Sequence, residues 1–138
     1  MTIDKKFIDH FVNVSSKAAI ASSYLVGKKD KNAADQAAVD SMRTELNKID
    51  MNGKVVIGEG TLDAAPMLYT GELLGNKNGL EFDIAVDPVE GTNFAANNLP
   101  GAISVIAMAE KGNLLSAPET YMDKIATGKI EEELIDLD

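Results

Sequence analysis

The chain has 138 residues, the length of one domain or of one lobe of something larger, and 45% of them are hydrophobic, enough for a single packed core. Thirteen Lys plus Arg against 22 Asp plus Glu leave a net charge of −9, which argues against a nucleic-acid partner, because displacing counterions from a phosphate backbone requires a basic face. With no cysteine, a disulfide scaffold, a thiolate zinc site and a Cys nucleophile are excluded, and the lone His10 excludes a multi-histidine metal site within these residues.

Residues 3–25 read as a helix, with Ile3, Phe7, Phe11, Val14, Ala18 and Ala21 or Ser22 at three- and four-residue spacing. On that helix His10 is expected at the surface or boundary. Gly27 stands where a helix stop is expected, and Lys28 to Asn32 form a polar loop. A second helix is predicted over 33–48, with Ala34, Ala37, Ala38, Met42 and Leu46 on one face and Asn32 or Asp30 as its cap. Ile49 to Gly53 reads as a turn. Val55-Val56-Ile57 reads as a short buried strand that ends in Gly58-Glu59-Gly60, a carboxylate between two flexible residues. Asp63 to Pro66 continues the loop, Met67 to Leu73 is ambiguous, and Asn76 to Gly79 is a turn.

Residues 81–87 alternate cleanly. Glu81, Asp83, Ala85 and Asp87 share one strand face, and Phe82, Ile84 and Val86 share the other. Pro88 is expected to end this strand, with a turn or short helix from Gly91-Thr92 through Ala96. Ala102 to Ala109 is a further apolar strand, and Leu114 to Ala117 is expected to pair back on it as a hairpin. Tyr121 to Ala126 fits helix or strand; Met67 and Met122 read as core. Two helices followed mostly by strands favour an α+β, layered α-β fold over a doubly wound sheet. No apolar run approaches the ~20 residues of a membrane span, and the first residues lack a signal-peptide apolar region, so a soluble cytoplasmic protein with no membrane partner is expected.

Four acids stand at strand ends or in loops bordered by Gly or Pro: Glu59, Asp63, Asp87 and Glu90. Rigid strand ends with open tips are where catalytic groups gather, and two hard divalent cations need several carboxylate oxygens. Asp87 and Glu90 flank a proline turn that keeps Asp87 extended, while Gly91 permits close backbone approach and the Gly91 and Thr92 amides can face a phosphate. A plainer reading makes each of these acids a solvated surface charge.

Asp87-Pro88-Val89-Glu90-Gly91-Thr92 resembles the Asp-Pro-x-(Asp/Glu)-Gly-(Ser/Thr) signature of the lithium-sensitive, metal-dependent phosphatases. Gly27 to Asp35, Val56 to Leu68 and Ala117 to Lys124 resemble three further segments of the class II fructose-1,6-bisphosphatases, in the same order. The resemblance implies a sugar-phosphatase-like fold, with N-terminal helices packed on a mixed sheet. It implies hydrolysis of the 1-phosphate of fructose 1,6-bisphosphate to fructose 6-phosphate, a step of gluconeogenesis, with two Mn²⁺ or Mg²⁺ ions. Asp35 and Glu59 resemble ligands of one ion, and Asp87 and Glu90 ligands of the other. Asp63 and Thr92 resemble the pair that orients and deprotonates the attacking water, with Lys31 a cation for phosphate or a neighbouring carboxylate. Glu90, Gly91, Thr92 and Tyr121 resemble substrate contacts. Plainer roles stand beside these: a first-turn helix acid for Asp35, a loop lysine for Lys31, a helix cap for Thr92, a half-buried tyrosine for Tyr121. Family members are more than twice as long, so residues 1–138 resemble an N-terminal metal-binding lobe. The expected partners are a sugar bisphosphate and either the second lobe or a homo-oligomer. An inositol phosphate or sedoheptulose bisphosphate as substrate is the alternative within the superfamily, and a non-catalytic binding or regulatory lobe is the alternative outside it.

Overall fold

The computed structural model describes residues 4–60, 67–117, 120 and 122–129. Two antiparallel-strand neighbours and one parallel pair make a four-stranded mixed sheet in the order β2-β1-β3-β4, with β1 at Met51–Ile57, β2 at Leu73–Leu74, β3 at Leu80–Glu90 and β4 at Ile103–Glu110. Helices α1 (Lys5–Ser23) and α2 (Lys31–Leu46) precede it, and the single-turn α3 (Thr92–Ala96) lies between β3 and β4. This is the layered α+β arrangement expected from the order of elements.

The apolar spacing of each helix decides its packing. Phe7, Phe11, Val14, Ala18 and Ser22 form the buried stripe of α1, so Ser22 rather than Ala21 completes it. Ala34, Ala38, Val39, Met42 and Leu46 form that of α2, where Val39 takes the place expected of Ala37. Asp30, not Asn32, caps α2: its Oδ1 accepts from the Ala33 N–H at 2.9 Å. Both stripes close over Val55, Phe82, Ile84 and Val86 on one face of the sheet. Phe82 is at the centre, with its ring edge-on to Phe7 at 5.0 Å and to Phe11 at 6.3 Å between centroids. His10 is exposed.

Five sequence expectations need correction. Met51 to Gly53 is not turn but the start of β1, because Met51 is fully buried and Met51, Asn52 and Gly53 pair in parallel with Leu80, Glu81 and Phe82. Pro88 does not end β3, which runs on to Glu90 with Pro88 inside it. Leu114 to Ala117 forms no strand and no hairpin with β4. The turn after β4 closes instead on the Asp83 carboxylate, which accepts from the Gly112 N–H at 2.6 Å and the Leu114 N–H at 3.4 Å and is buried. Met122 is 42% exposed, not core, and residues 122–126 are neither helix nor strand.

Candidate active site

Asp87 and Glu90 are three residues apart, so in a regular strand they would face opposite sides of the sheet. The pairing with β4 shows why they do not. Asp87 stands opposite Val105 and Glu90 opposite Ile103, so three steps along β3 match two along β4. That is a one-residue bulge, and it falls at Pro88-Val89. Pro88 has no N–H to give the ladder and is tolerated where the ladder is already broken. The bulge turns Glu90 onto the same face as Asp87, away from the helices. Beside it, β1 carries its own irregularity between Val55 and Ile57, just before Gly58 and Glu59.

The carboxyl ends of the parallel pair β1 and β3 therefore open together onto a cleft of about 740 Å³. Glu59, Asp87, Glu90, Gly91, Thr92 and Lys124 are among its lining residues. Asp87 meets both Glu59 and Glu90. Its carboxyl is pushed up to about 6, first by burial, then by its hydrogen bond to Glu90 and the charge of Glu90, against the opposing pull of Glu59 and the Val89 N–H. One oxygen of Asp87, Oδ1, is buried with no hydrogen-bond partner.

Gly91 ends the strand with a left-handed backbone, φ 84°, and is itself the cap of α3. Thr92 is the first residue of α3 and not its cap, so its hydroxyl is not used in capping. The loop after α1 is strapped to the end of α3 by two backbone bonds, Gly27 N–H to Ala95 at 3.0 Å and Lys29 N–H to Ala96 at 2.8 Å. These bonds set the start of α2 against α3. Asp35, in that first part of α2, is half-buried; its Oδ1 has no partner, and burial raises its carboxyl above the usual range. Asp35 and the exposed Lys31 do not line the cleft. Asp63 and Tyr121 lie outside the described residues.

Glu59 is placed by its backbone: its N–H donates to the Leu68 carbonyl at 3.0 Å. Gly58 makes this closure possible. A Cβ there would stand 2.1 Å from the Leu68 carbonyl oxygen and 2.7 Å from Val55 Cγ1, with no flexible side-chain end to give way. Gly58→Ala is expected to destabilise the fold by about 1–3 kcal/mol and to speed hydrogen exchange at the Glu59 amide. Thermal unfolding and amide exchange check it; unchanged protection at Glu59 contradicts it. Sequence reasoning missed Arg43. Its Nε and Nη2 grip the nearly buried Glu72 at 2.7 and 3.1 Å, and Nη2 also donates to the Met67 carbonyl at 2.7 Å. The partners are 24 and 29 residues away, a distance at which spacing carries no signal.

Oxygen-only donors, mutual carboxyl repulsion and two buried, partnerless carboxylate oxygens, at Asp35 and Asp87, are the chemistry of a hard divalent cation site. Among the described residues no three such groups form a ready ligand set; Asp87 meets Glu59 and Glu90 pairwise. The residues present fit the ions, as contributors rather than as a finished cage.

The family model for bacterial fructose-1,6-bisphosphatase, glpX-encoded, matches residues 5–138. A D-fructose 1,6-bisphosphatase class 2/sedoheptulose 1,7-bisphosphatase of Prochlorococcus marinus (strain MIT 9303) is 45% identical over 135 residues, 98% of this chain and 40% of that protein. One of the same name from Thermosynechococcus vestitus is 47% identical over 138 residues, 91% of this chain and 40% of its own length. The chain thus spans about 40% of the length of these relatives. An extragenic suppressor from Pyrococcus furiosus shares the fold, with a TM-score of 0.52 at 14% identity over 78% of this chain and 41% of that one. With its four segments, its bulged carboxylate pair and a match along almost its whole length, the chain belongs to the bacterial, glpX-encoded fructose-1,6-bisphosphatase family.

Proposed function

We propose that these residues form the carboxylate half of a phosphatase site that hydrolyses a phosphate monoester of a sugar bisphosphate, with fructose 1,6-bisphosphate as substrate and its 1-phosphate as the group removed. The observation that carries this is the cleft at the ends of β1 and β3, which Glu59, Asp87, Glu90 and Thr92 line together. In this reading Asp35 and Glu59 hold one divalent cation and Asp87 and Glu90 hold another, Mg²⁺ or Mn²⁺. Bound there, the ions supply charge neutralisation on the transferring phosphoryl group and acidification of water. Asp63 takes the proton of the attacking water, and the Thr92 hydroxyl, left free by Gly91 acting as the cap, orients it. Glu90, Gly91, Thr92 and Tyr121 position the substrate, and Lys31 offsets charge among the neighbouring carboxylates. The reaction is completed by the remainder that the relatives carry, in the same polypeptide or by association, and belongs to cytoplasmic sugar metabolism.

The relatives' names also include sedoheptulose 1,7-bisphosphatase, so a seven-carbon bisphosphate is the second substrate of this reading. The test is phosphate release from fructose 1,6-bisphosphate by a polypeptide in which residues 1–138 are joined to the rest of a relative's length. Asp87→Ala in that protein is expected to lower kcat by about 100-fold or more, since a ligand lost costs more than its outer support. Equal rates for the two proteins overturn the proposal. The same assay with sedoheptulose 1,7-bisphosphate decides the breadth of substrate.

A further inference from the structure

The cleft at the ends of β1 and β3 has an acidic wall, in a chain whose net charge is −9. A phosphate dianion entering it meets Glu59, Asp87 and Glu90, and needs positive charge from the protein as well as from cations held by those carboxylates. Lys31 does not line this space. Among the described lining residues the cation is Lys124, which shares the wall with the hydroxyl-bearing Thr92 and Thr120. Its side chain is not spent on the fold. The ammonium makes one long hydrogen bond, 3.5 Å to the Met122 carbonyl, and no ion pair among the described residues.

We propose that Lys124 is a phosphate-binding residue of this cleft, its ammonium donating to a non-bridging oxygen of the substrate's phosphate monoester. The proposal rests on the phosphatase reading above and deepens it by assigning the protein's own cation for the substrate. A lysine suits the task because its ammonium is a compact charge with three donors on a flexible four-carbon stem. From residues 122–127, which have no regular secondary structure, that stem can reach an anion without moving β1 or β3. Lys124 touches the phosphate and not the carboxylates, so its loss separates two affinities: phosphate binding falls and cation binding stays.

The experiment is calorimetry on the 138-residue chain, first with Mn²⁺ alone and then with inorganic phosphate added to the Mn²⁺-loaded protein. Lys124→Met is expected to weaken phosphate binding by about tenfold or more, the size of a lost charge-assisted hydrogen bond, with Mn²⁺ affinity and melting temperature unchanged. Lys124→Arg, which keeps the charge, is expected to stay within about threefold of wild type. Wild-type phosphate affinity in Lys124→Met overturns the assignment while leaving the metal reading intact. So does a wild-type chain that takes up Mn²⁺ but no phosphate. A wild-type chain that takes up no Mn²⁺ overturns the metal reading and this assignment together.

Discussion

Asp87→Asn is expected to raise the stability of the metal-free chain at neutral pH and to remove the stabilisation that Mn²⁺ gives it. In the folded chain burial and Glu90 push the Asp87 carboxyl from 3.8 to about 6. In the unfolded chain it ionises at its ordinary value, so between these two values the folded state binds the extra proton. Stability therefore falls as pH rises through that window, and the penalty is complete above it. In a fully buried site that difference would amount to about 3 kcal/mol; Asp87 is half-buried, and solvent screening leaves about 1 kcal/mol. Asn keeps the shape and removes the charge. The gap in melting temperature between Asp87→Asn and wild type should open between pH 4 and pH 6 and reach about 4 °C at pH 7.5. Added Mn²⁺ reverses the order: at a hundredfold excess over its Kd it adds about 2.7 kcal/mol to wild type and little to the variant. Melting curves over pH, with and without Mn²⁺, check both. A gap that does not vary with pH contradicts the charge argument, and equal Mn²⁺ stabilisation in the two proteins contradicts the site.

Arg43→Met has the largest expected effect on folding. The side chains of Arg43 and Glu72 are 25% and 11% exposed, and the pair is joined by two hydrogen bonds, which hold the guanidinium above its usual range. Removing the arginine leaves a nearly buried carboxylate with no counter-charge, which costs about 3–5 kcal/mol. For a domain whose whole stability is of order 5–15 kcal/mol, that is enough to unfold part of the population at 37 °C. It also frees the Met67 carbonyl, one residue before the Leu68 carbonyl that holds Glu59. Loss of stability should thus be accompanied by weaker Mn²⁺ binding. Arg43→Met/Glu72→Leu is expected to recover most of the stability, because an apolar pair of similar volume replaces the ion pair without a stranded charge. Urea denaturation of the two variants checks this. A single variant within 1 kcal/mol of wild type contradicts it.

What could be read from the sequence, and what could not, divides along a physical line. Patterns of short range were legible: the helical stripes through Phe7 and Met42, the alternation around Phe82 and Ile84, a cap at Asp30 or Asn32, and the nearness of Asp87 to Glu90 across the proline, whereas Glu59 joins them only through the parallel pairing of β1 with β3. Each of the local patterns rests on spacing within a few residues. Features that depend on a partner far along the chain were not. Pro88 reads as a strand end unless one knows that β4 already breaks register there. Met51 reads as turn unless Leu80 is known to lie beside it. Asp83 reads as an outward acid until the turn at Gly112 covers it. Arg43 and Glu72 are ordinary surface charges until the fold brings them together. Lys124 was within the segment that resembled the family, yet a lysine in an irregular stretch has no period to mark it.

The bulge at Pro88-Val89 also fixes how Asp87 and Glu90 stay together. Two acids held together at a strand end would ordinarily relax by sliding the strand one residue and dispersing the charge. Here that escape offers little. Straightening β3 would turn Glu90 toward the apolar side under the helices, and at Pro88 there is no amide to reward the repaired ladder with a hydrogen bond. The imino acid thus removes the gain that a repaired ladder would bring. Asp87 and Glu90 are thereby kept side by side.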